Sequence, residues 1–68
     1  MFPDIGERIR QIRKARCMTQ QELAARLHIS VNTLSSYEKN KTTPTLSFIS
    51  SLADEFETTM DDIIRYVK

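Results

Sequence analysis

The amino-acid sequence predicts an all-α protein in which five short helices surround one core. Apolar residues recur at intervals of three and four nearly throughout, and no segment alternates like a strand over five or more positions. Only one glycine and two prolines interrupt the 68 residues. A chain of this length forms a single small domain (residues 1–68), which buries only about 60% of its unfolded surface.

Helix 1 is predicted over about residues 4–16 and helix 2 over about 20–27. Asp4 is the expected N-cap of helix 1, and Glu7 follows at the capping-box distance. Helix 2 opens on Thr19-Gln-Gln-Glu22, the S/T-x-x-E pattern of a capping box. The expected inward faces are Ile5, Ile9 and Ile12 in helix 1 and Leu23, Ala24 and Leu27 in helix 2.

Helix 3 is predicted over about residues 31–39, with Ser30 as its N-cap. Valine, asparagine, threonine and two serines dominate it, and all of these rank well below alanine and leucine as helix formers. Leu34 and Tyr37 supply only a thin apolar edge. A segment that departs from the local preference in this way often carries a functional site.

Helix 4 is predicted over about residues 46–56 and helix 5 over about 60–66. Pro44 disfavours helix at Thr43, so a loop is expected before helix 4, whose cap is Thr45. Thr59-x-x-Asp62 opens helix 5. The expected core side chains are Leu46, Ile49, Leu52, Ala53 and Phe56 in helix 4 and Met60, Ile63 and Ile64 in helix 5.

The charge is unevenly distributed although the net charge is only +1. Residues 1–41 hold eight basic and four acidic residues, which gives +4, whereas residues 42–68 hold two basic and five acidic ones, which gives −3. Such asymmetry is a hint of a nucleic-acid face. Charge alone leaves open an ordinary solvated helix 1 as the alternative.

Two further features of the chain bear on its location. Cys17 is the only cysteine, and the charged N-terminal segment does not resemble a secretory leader, so we expect a reducing cytoplasm. No apolar run approaches the roughly 20 residues that span a membrane.

The residues between Gln20 and Tyr37 follow a specific spacing of apolar and small side chains. A small residue, Ala24, stands where two helices would cross closely, and apolar residues surround it at Leu23, Leu27, Ile29, Leu34 and Tyr37. This pattern resembles the helix-turn-helix of the phage-repressor-like family, also called the XRE or Cro/repressor type. The segments IRQIRKAR, TQQELA, SYEKNK, Pro44-Thr45-Leu46 and the Thr59-x-x-Asp62 end extend the resemblance over nearly the whole chain. It implies a compact lambda-repressor-like DNA-binding domain whose helix-turn-helix consists of helices 2 and 3.

The resemblance implies that helix 3 lies in the major groove of double-stranded DNA and presents its N-terminal residues to base edges. The Asn32 amide can pair bidentately with adenine, and Val31 suits a thymine methyl group. Plain solvent exposure is the alternative for Val31 and the serines. The expected base-contacting residues are Val31, Asn32, Ser35 and Ser36.

Short side chains on helix 3 require that anchoring come from phosphate contacts elsewhere. The N-terminus of helix 2 is an anion site, and the matching glutamine of the family contacts phosphate there, which points to Gln20. The further phosphate candidates are Gln21, Thr33, Lys39, Asn40, Lys41 and Thr42.

Glu38 needs a separate role because a carboxylate facing phosphate would be repelled. Related proteins pair an arginine late in helix 1 with the glutamate at the end of helix 3. The resemblance therefore implies a structural ion pair between Arg13 and Glu38 that ties helix 3 to helix 1.

The chain departs from the family at four helix ends, where glycine is common because the backbone turns left-handed. Those positions here are Cys17, His28, Asn40 and Glu57. A left-handed residue other than glycine or asparagine costs roughly 1–2 kcal/mol, unless the turns differ in shape. His28 and Cys17 match no zinc-ligand spacing, and no nucleophile–base–orienter set is visible. We therefore expect no catalytic residue, metal site, cofactor or small-molecule ligand.

The sequence thus predicts a sequence-specific DNA-binding regulator that acts as a repressor on a palindromic operator, in the cytoplasm and associated with the nucleoid. A small module with short recognition side chains is expected to bind as a homodimer. Its interface is expected to use Ile64, Tyr66 and Val67, with Phe48 as a further candidate, unless Tyr66 and Val67 fold back on their own core. The alternative function is a protein-interaction module, such as an antitoxin or an anti-repressor partner.

Overall fold

The computed structural model describes residues 5–65 and contains five α-helices and no strand within that range. They are α1 (Ile5–Ala15), α2 (Gln20–Leu27), α3 (Val31–Glu38), α4 (Leu46–Glu55) and α5 (Met60–Arg65). The all-α prediction is confirmed. The expected cap Asp4 lies outside the described residues, as do Tyr66 and Val67.

Side-chain caps begin four of these helices where the sequence signals place them. Thr19 and Glu22 form a complete capping box at α2, with Thr19 Oγ1 accepting from the Glu22 N–H and Glu22 Oε1 accepting from the Thr19 N–H. The hydroxyls of Ser30, Thr45 and Thr59 accept from the N–H three residues later at α3, α4 and α5. Such a cap satisfies one of the free N–H groups of the first turn.

Every helix contributes one fully buried aliphatic side chain to the centre of the core. These are Ile9, Leu23, Leu34, Leu52 and Ile63, each no more than 1% exposed. Around them pack partly buried apolar side chains from all parts of the fold, among them Ile12, Met18, Ile29, Val31, Phe56, Met60 and Ile64. The core therefore depends on all five helices, and no pair of them forms it alone.

Helix α4 corrects two expectations. Leu46, expected inside, is 72% exposed, whereas Phe48, expected to add apolar surface for a partner, is 5% exposed. Phe48, Ile49, Leu52 and Ala53 lie on one face of α4 at helical spacing, and Leu46 projects beside that face on the first turn. The Phe48 ring packs edge-on against Tyr37, with ring centroids 4.7 Å apart. Phe48 is thus a core residue with little surface to offer a partner.

The first four helices end in the same left-handed turn. Cys17, His28, Asn40 and Glu57 have φ values of 56°, 59°, 59° and 53°. In each turn the next residue donates its N–H to the carbonyl five residues earlier, at 2.9–3.2 Å, as in a Schellman cap. The turns therefore keep the expected shape without glycine.

The only glycine lies inside a helix, where α1 meets the end of α3. A Cβ at Gly6 would lie 2.5 Å from the Tyr37 carbonyl oxygen and 2.6 Å from that of Glu38. The Gly6 N–H donates to Asn40 Oδ1 at 3.0 Å. Gly6 therefore permits a close approach of two backbones.

None of the helices within residues 5–65 is both long and apolar enough to cross a membrane.

Candidate nucleic-acid interface

Helices α2 and α3 form the two arms of the candidate interface, joined by residues 28–30. Ala24, 2% exposed, lies in the contact between the arms, and the Ile29 N–H donates to its carbonyl at 3.0 Å. Ser30 begins α3 immediately afterwards by accepting from the Thr33 N–H. The left-handed conformation of His28 and the Ser30 cap together reverse the chain within three residues.

The expected base-contacting residues occupy different depths on α3. Asn32 is exposed on the first turn, whereas Ser35 and Ser36 are half-buried. Val31, expected to be an exposed apolar residue, is half-buried and packs against the core. Leu34 and Tyr37 anchor the opposite edge of the helix in the core. Asn32 is therefore the most accessible of the four.

A shallow open cavity of about 230 Å³ lies between α3 and the loop that follows it. It brings together three expected DNA-contacting residues of α3 and one of the loop, with an aromatic ring among them. The lining residues are Asn32, Thr33, Ser36, Tyr37 and Thr42. The lining offers one amide and four hydroxyl groups and no carboxylate.

The expected phosphate-contacting residues lie at the start of α2, on α3 and in the loop that follows α3. Gln21, Lys39, Lys41 and Thr42 are exposed. The Thr33 hydroxyl accepts from Ser30 Oγ at 2.9 Å and so belongs to the α3 cap. In α2 the Leu23 N–H makes the first backbone bond, to the Thr19 carbonyl, and the Glu22 N–H donates to Thr19 Oγ1. The Gln20 and Gln21 N–H groups therefore have no acceptor within the helix.

Arg13 and Glu38 are in contact, as the resemblance implied. Arg13 Nε donates to Glu38 Oε2 at 2.7 Å and Arg13 Nη2 to Glu38 Oε1 at 3.1 Å, and both residues are 8% exposed. Arg13 Nη1 also donates to the Met18 carbonyl at 2.8 Å. The guanidinium therefore fixes the carboxylate of α3 to α1 and to the turn that precedes α2.

Gln20 joins this ion pair, which sequence reasoning did not anticipate. Its Nε2 donates to Glu38 Oε1 at 3.0 Å. One amide hydrogen is thereby engaged, and the carboxylate holds the amide group in place at the start of α2. Because Arg13 neutralises Glu38, the pair positions Gln20 without presenting a free negative charge.

Two other residues have roles that sequence reasoning missed. Asn40, expected to contact phosphate, uses Oδ1 to accept from the Gly6 N–H, which leaves only its amide NH₂ for another partner. Gly6 permits the close packing of α1 on the end of α3, and the sequence signal for this role is a glycine inside an amphipathic helix. Ile64, an expected dimer contact, is half-buried against the core.

This arrangement of helices matches known proteins. The family model described as Helix-turn-helix matches residues 9–63 of the chain. The chain belongs to the XRE-type helix-turn-helix family. Members of this family are DNA-binding transcriptional regulators, so double-stranded DNA is the partner that membership implies.

Two curated relatives of this XRE-type domain are transcriptional regulators. The HTH-type transcriptional regulator DdrOP3 of Deinococcus deserti is 34% identical over 62 residues, which cover 91% of this chain and 48% of that protein. The HTH-type transcriptional activator BcrR of Enterococcus faecalis is 26% identical over 61 residues, which cover 90% of this chain and 30% of that protein. The chain thus spans about half the length of one relative and less than a third of the other.

A solved structure shows the same fold. The crystal structure of a transcriptional regulator from Listeria innocua superposes with a TM-score of 0.81 at 22% sequence identity. The match covers 94% of this XRE-type domain and 60% of that chain. The likeness extends through all five helices of the domain.

Proposed function

We propose that this XRE-type domain binds a palindromic operator as a homodimer, inserts α3 into the major groove and acts as a repressor on nucleoid DNA. The observation that carries the proposal is the exposed Asn32 amide on the first turn of a helix whose far end is fixed by the buried Arg13–Glu38 pair. A fixed helix with an exposed amide at its N-terminal end is the arrangement that reads base edges in helix-turn-helix proteins.

Asn32 is the proposed base reader, with adenine as the base that an asparagine amide pairs bidentately. Ser35 and Ser36, half-buried on the same helix, are within the part of α3 that enters the groove and contribute at closer range. Val31 packs against the core, so any thymine contact would use only the exposed part of its side chain.

Phosphate contacts supply the anchoring in this proposal. The N–H groups at the start of α2 and the amide of Gln20, held by Glu38, form one anion site. A second site follows α3, where Lys39, Lys41 and Thr42 are exposed. Asn40 contributes there only through its NH₂ group, because its oxygen is bound by Gly6. These two anchors would set the register of α3 on the duplex.

Repression is the simplest consequence of this binding. A domain that occupies an operator excludes other proteins from the same DNA, and occupancy alone is then sufficient. The relative BcrR is an activator. A reporter gene with the operator placed across the promoter distinguishes repression from activation. A fall in expression supports repression, and a rise contradicts it.

Selection of bound DNA from a random pool is the experiment that tests the proposal. We expect enriched sites with two inverted half-sites whose centres are about 34 Å apart or a multiple of that distance. Enrichment of single, unpaired sites would contradict the dimer, and no enrichment would contradict sequence-specific binding.

A protein-interaction role is the second candidate. Leu46 is 72% exposed, the one large apolar side chain of that kind within residues 5–65, and exposed acidic residues follow it in α4 and α5. Salt dependence discriminates between the candidates, because DNA binding weakens steeply with salt through counterion release. A chain that enriches no DNA and binds a protein partner with little salt dependence would favour this second role.

A further inference from the structure

The hydroxyl of Tyr37 has no structural task within the described fold. The residue is 9% exposed, and its ring is held in the core against Phe48. No hydrogen bond of the hydroxyl to any residue within 5–65 is present. The hydroxyl oxygen is not one of the fully buried unpartnered side-chain atoms within residues 5–65, so solvent or a ligand can reach it. A phenylalanine would fill the core equally well.

The cavity beside α3 gives this hydroxyl access to a ligand. Tyr37 lines that cavity together with Asn32, Thr33, Ser36 and Thr42. The donors around it are neutral hydroxyl and amide groups, and Lys41 stands next to Thr42 in the same loop. Hydrogen-bond donors without a carboxylate, beside a lysine, suit an anionic oxygen and disfavour a cation.

We propose that the Tyr37 hydroxyl donates a hydrogen bond to a DNA phosphate oxygen seated in this cavity. The inference rests on the proposed function, since it requires α3 to face DNA. Asn32 lines the same cavity, so a phosphate bound there lies beside the proposed base reader. Because the tyrosine ring is fixed in the core, this contact ties the depth of α3 in the groove directly to the packing of the domain.

The test is Tyr37→Phe, which removes one oxygen and keeps the ring. We expect affinity for the selected operator to fall about tenfold per bound domain, the loss typical of one hydrogen bond to a charged group. The fall should be equal for non-operator DNA, because phosphate contacts carry no sequence information. The thermal unfolding midpoint should not fall, since the hydroxyl bonds to nothing within the described fold. Wild-type affinity in a folded Tyr37→Phe variant would overturn the proposal.

Salt dependence separates this contact from the lysines. Tyr37→Phe removes no charge, so the slope of log affinity against log salt should stay at the wild-type value. Lys41→Ala, the matched control, should lower that slope by about one. A loss of discrimination at a single base pair in Tyr37→Phe, with unchanged non-operator binding, would make the hydroxyl a base reader and overturn the phosphate assignment.

Methylphosphonate substitution of single phosphates locates the contact. Substitution of one phosphate per half-site should lower the affinity of the wild-type protein. It should lower the affinity of Tyr37→Phe markedly less, because the DNA substitution and the protein substitution remove the same hydrogen bond. Equal losses for both proteins at every phosphate would overturn the inference. If the wild-type chain bound no DNA at all, both the proposed function and this inference would be wrong. If Tyr37→Phe bound DNA with wild-type affinity, only this inference would be wrong.

Discussion

At the scale of single residues, the four left-handed helix ends are occupied by cysteine, histidine, asparagine and glutamate instead of glycine. Asparagine tolerates this conformation because its short polar side chain can bond locally. Here Asn40 also accepts from the Gly6 N–H, so its side chain has a use that glycine could not supply. His28 is exposed and makes no such contact, and it is therefore a position where strain can be removed.

His28→Gly should stabilise the domain. Relief of the left-handed strain gains roughly 1–2 kcal/mol, and the greater freedom of glycine in the unfolded chain offsets about half of that. A net gain of about 0.5–1 kcal/mol corresponds to a rise of roughly 2–8 °C in a thermal melt of so small a domain. Ala25→Gly, an exposed position inside α2, should instead lose about 1 kcal/mol. The DNA preference of His28→Gly should match that of the wild type. A less stable His28→Gly variant would contradict the prediction.

Two substitutions at the interface separate base reading from anchoring. Asn32→Ala should relax the preference at one base pair by about 1–3 kcal/mol, whereas Lys41→Ala should weaken all sequences alike. Competition binding against operators with single base changes measures both. Equal losses by Asn32→Ala on every operator would remove Asn32 from the readout.

At the scale of elements, the contact between α1 and α3 positions the recognition helix. The Arg13–Glu38 pair joins the two helices at one place, and the approach of Gly6 to the Tyr37 and Glu38 carbonyls joins them at another. The first contact is ionic and buried, and the second is a backbone contact that any side chain at position 6 would disturb. Substitutions at Gly6 and at Glu38 are therefore expected to act in different ways.

Gly6→Ala should destabilise the fold by about 2 kcal/mol or more. Alanine is the better helix former by about 1 kcal/mol, but its Cβ would lie 2.5–2.7 Å from three oxygens, two of them in the backbone. Those carbonyls cannot move without separating α1 from α3. Chemical denaturation measures the change, with the exposed Gln11→Ala in the same helix as a control that should stay within about 0.5 kcal/mol of wild type. An unchanged Gly6→Ala variant would refute the close approach.

Glu38→Gln should cost about 2–3 kcal/mol of folding stability and weaken operator binding. The substitution leaves the Arg13 charge buried without a carboxylate and releases the orientation of Gln20. Glu55→Gln breaks a comparable pair with Arg26, whose side chain is 61% exposed, and should cost less than about 1 kcal/mol. If Glu38→Gln matched wild type in both stability and binding, the pair would have no positioning role.

At the scale of the whole molecule, the small size of the domain and the short side chains of α3 argue for paired binding. Light scattering or sedimentation at high micromolar concentration should therefore report a dimer. Phe48 is 5% exposed and offers little surface to a partner, whereas Ile64 retains a partly exposed side chain. A monomer at that concentration, together with unpaired half-sites in the DNA selection, would contradict the homodimer.

The sequence by itself determined the helices, their caps and the family. Capping boxes and apolar spacing are local, so each is decided within a few residues, as Thr19–Glu22 shows, whereas the left-handed helix ends were expected from the family resemblance. The expected Arg13–Glu38 contact is long-range and came from resemblance, not from local pattern.

Only the tertiary structure decided which apolar residues of α4 are inside, and why the single glycine is at position 6. Leu46 and Phe48 are both apolar residues on the first turn of that helix, and packing against the Tyr37 ring buries Phe48. Gly6 and Asn40 are 34 residues apart in the chain, and Gln20 and Glu38 are 18 apart. No local preference encodes such distances, because those bonds exist only after α1, α2 and α3 have packed around a common core.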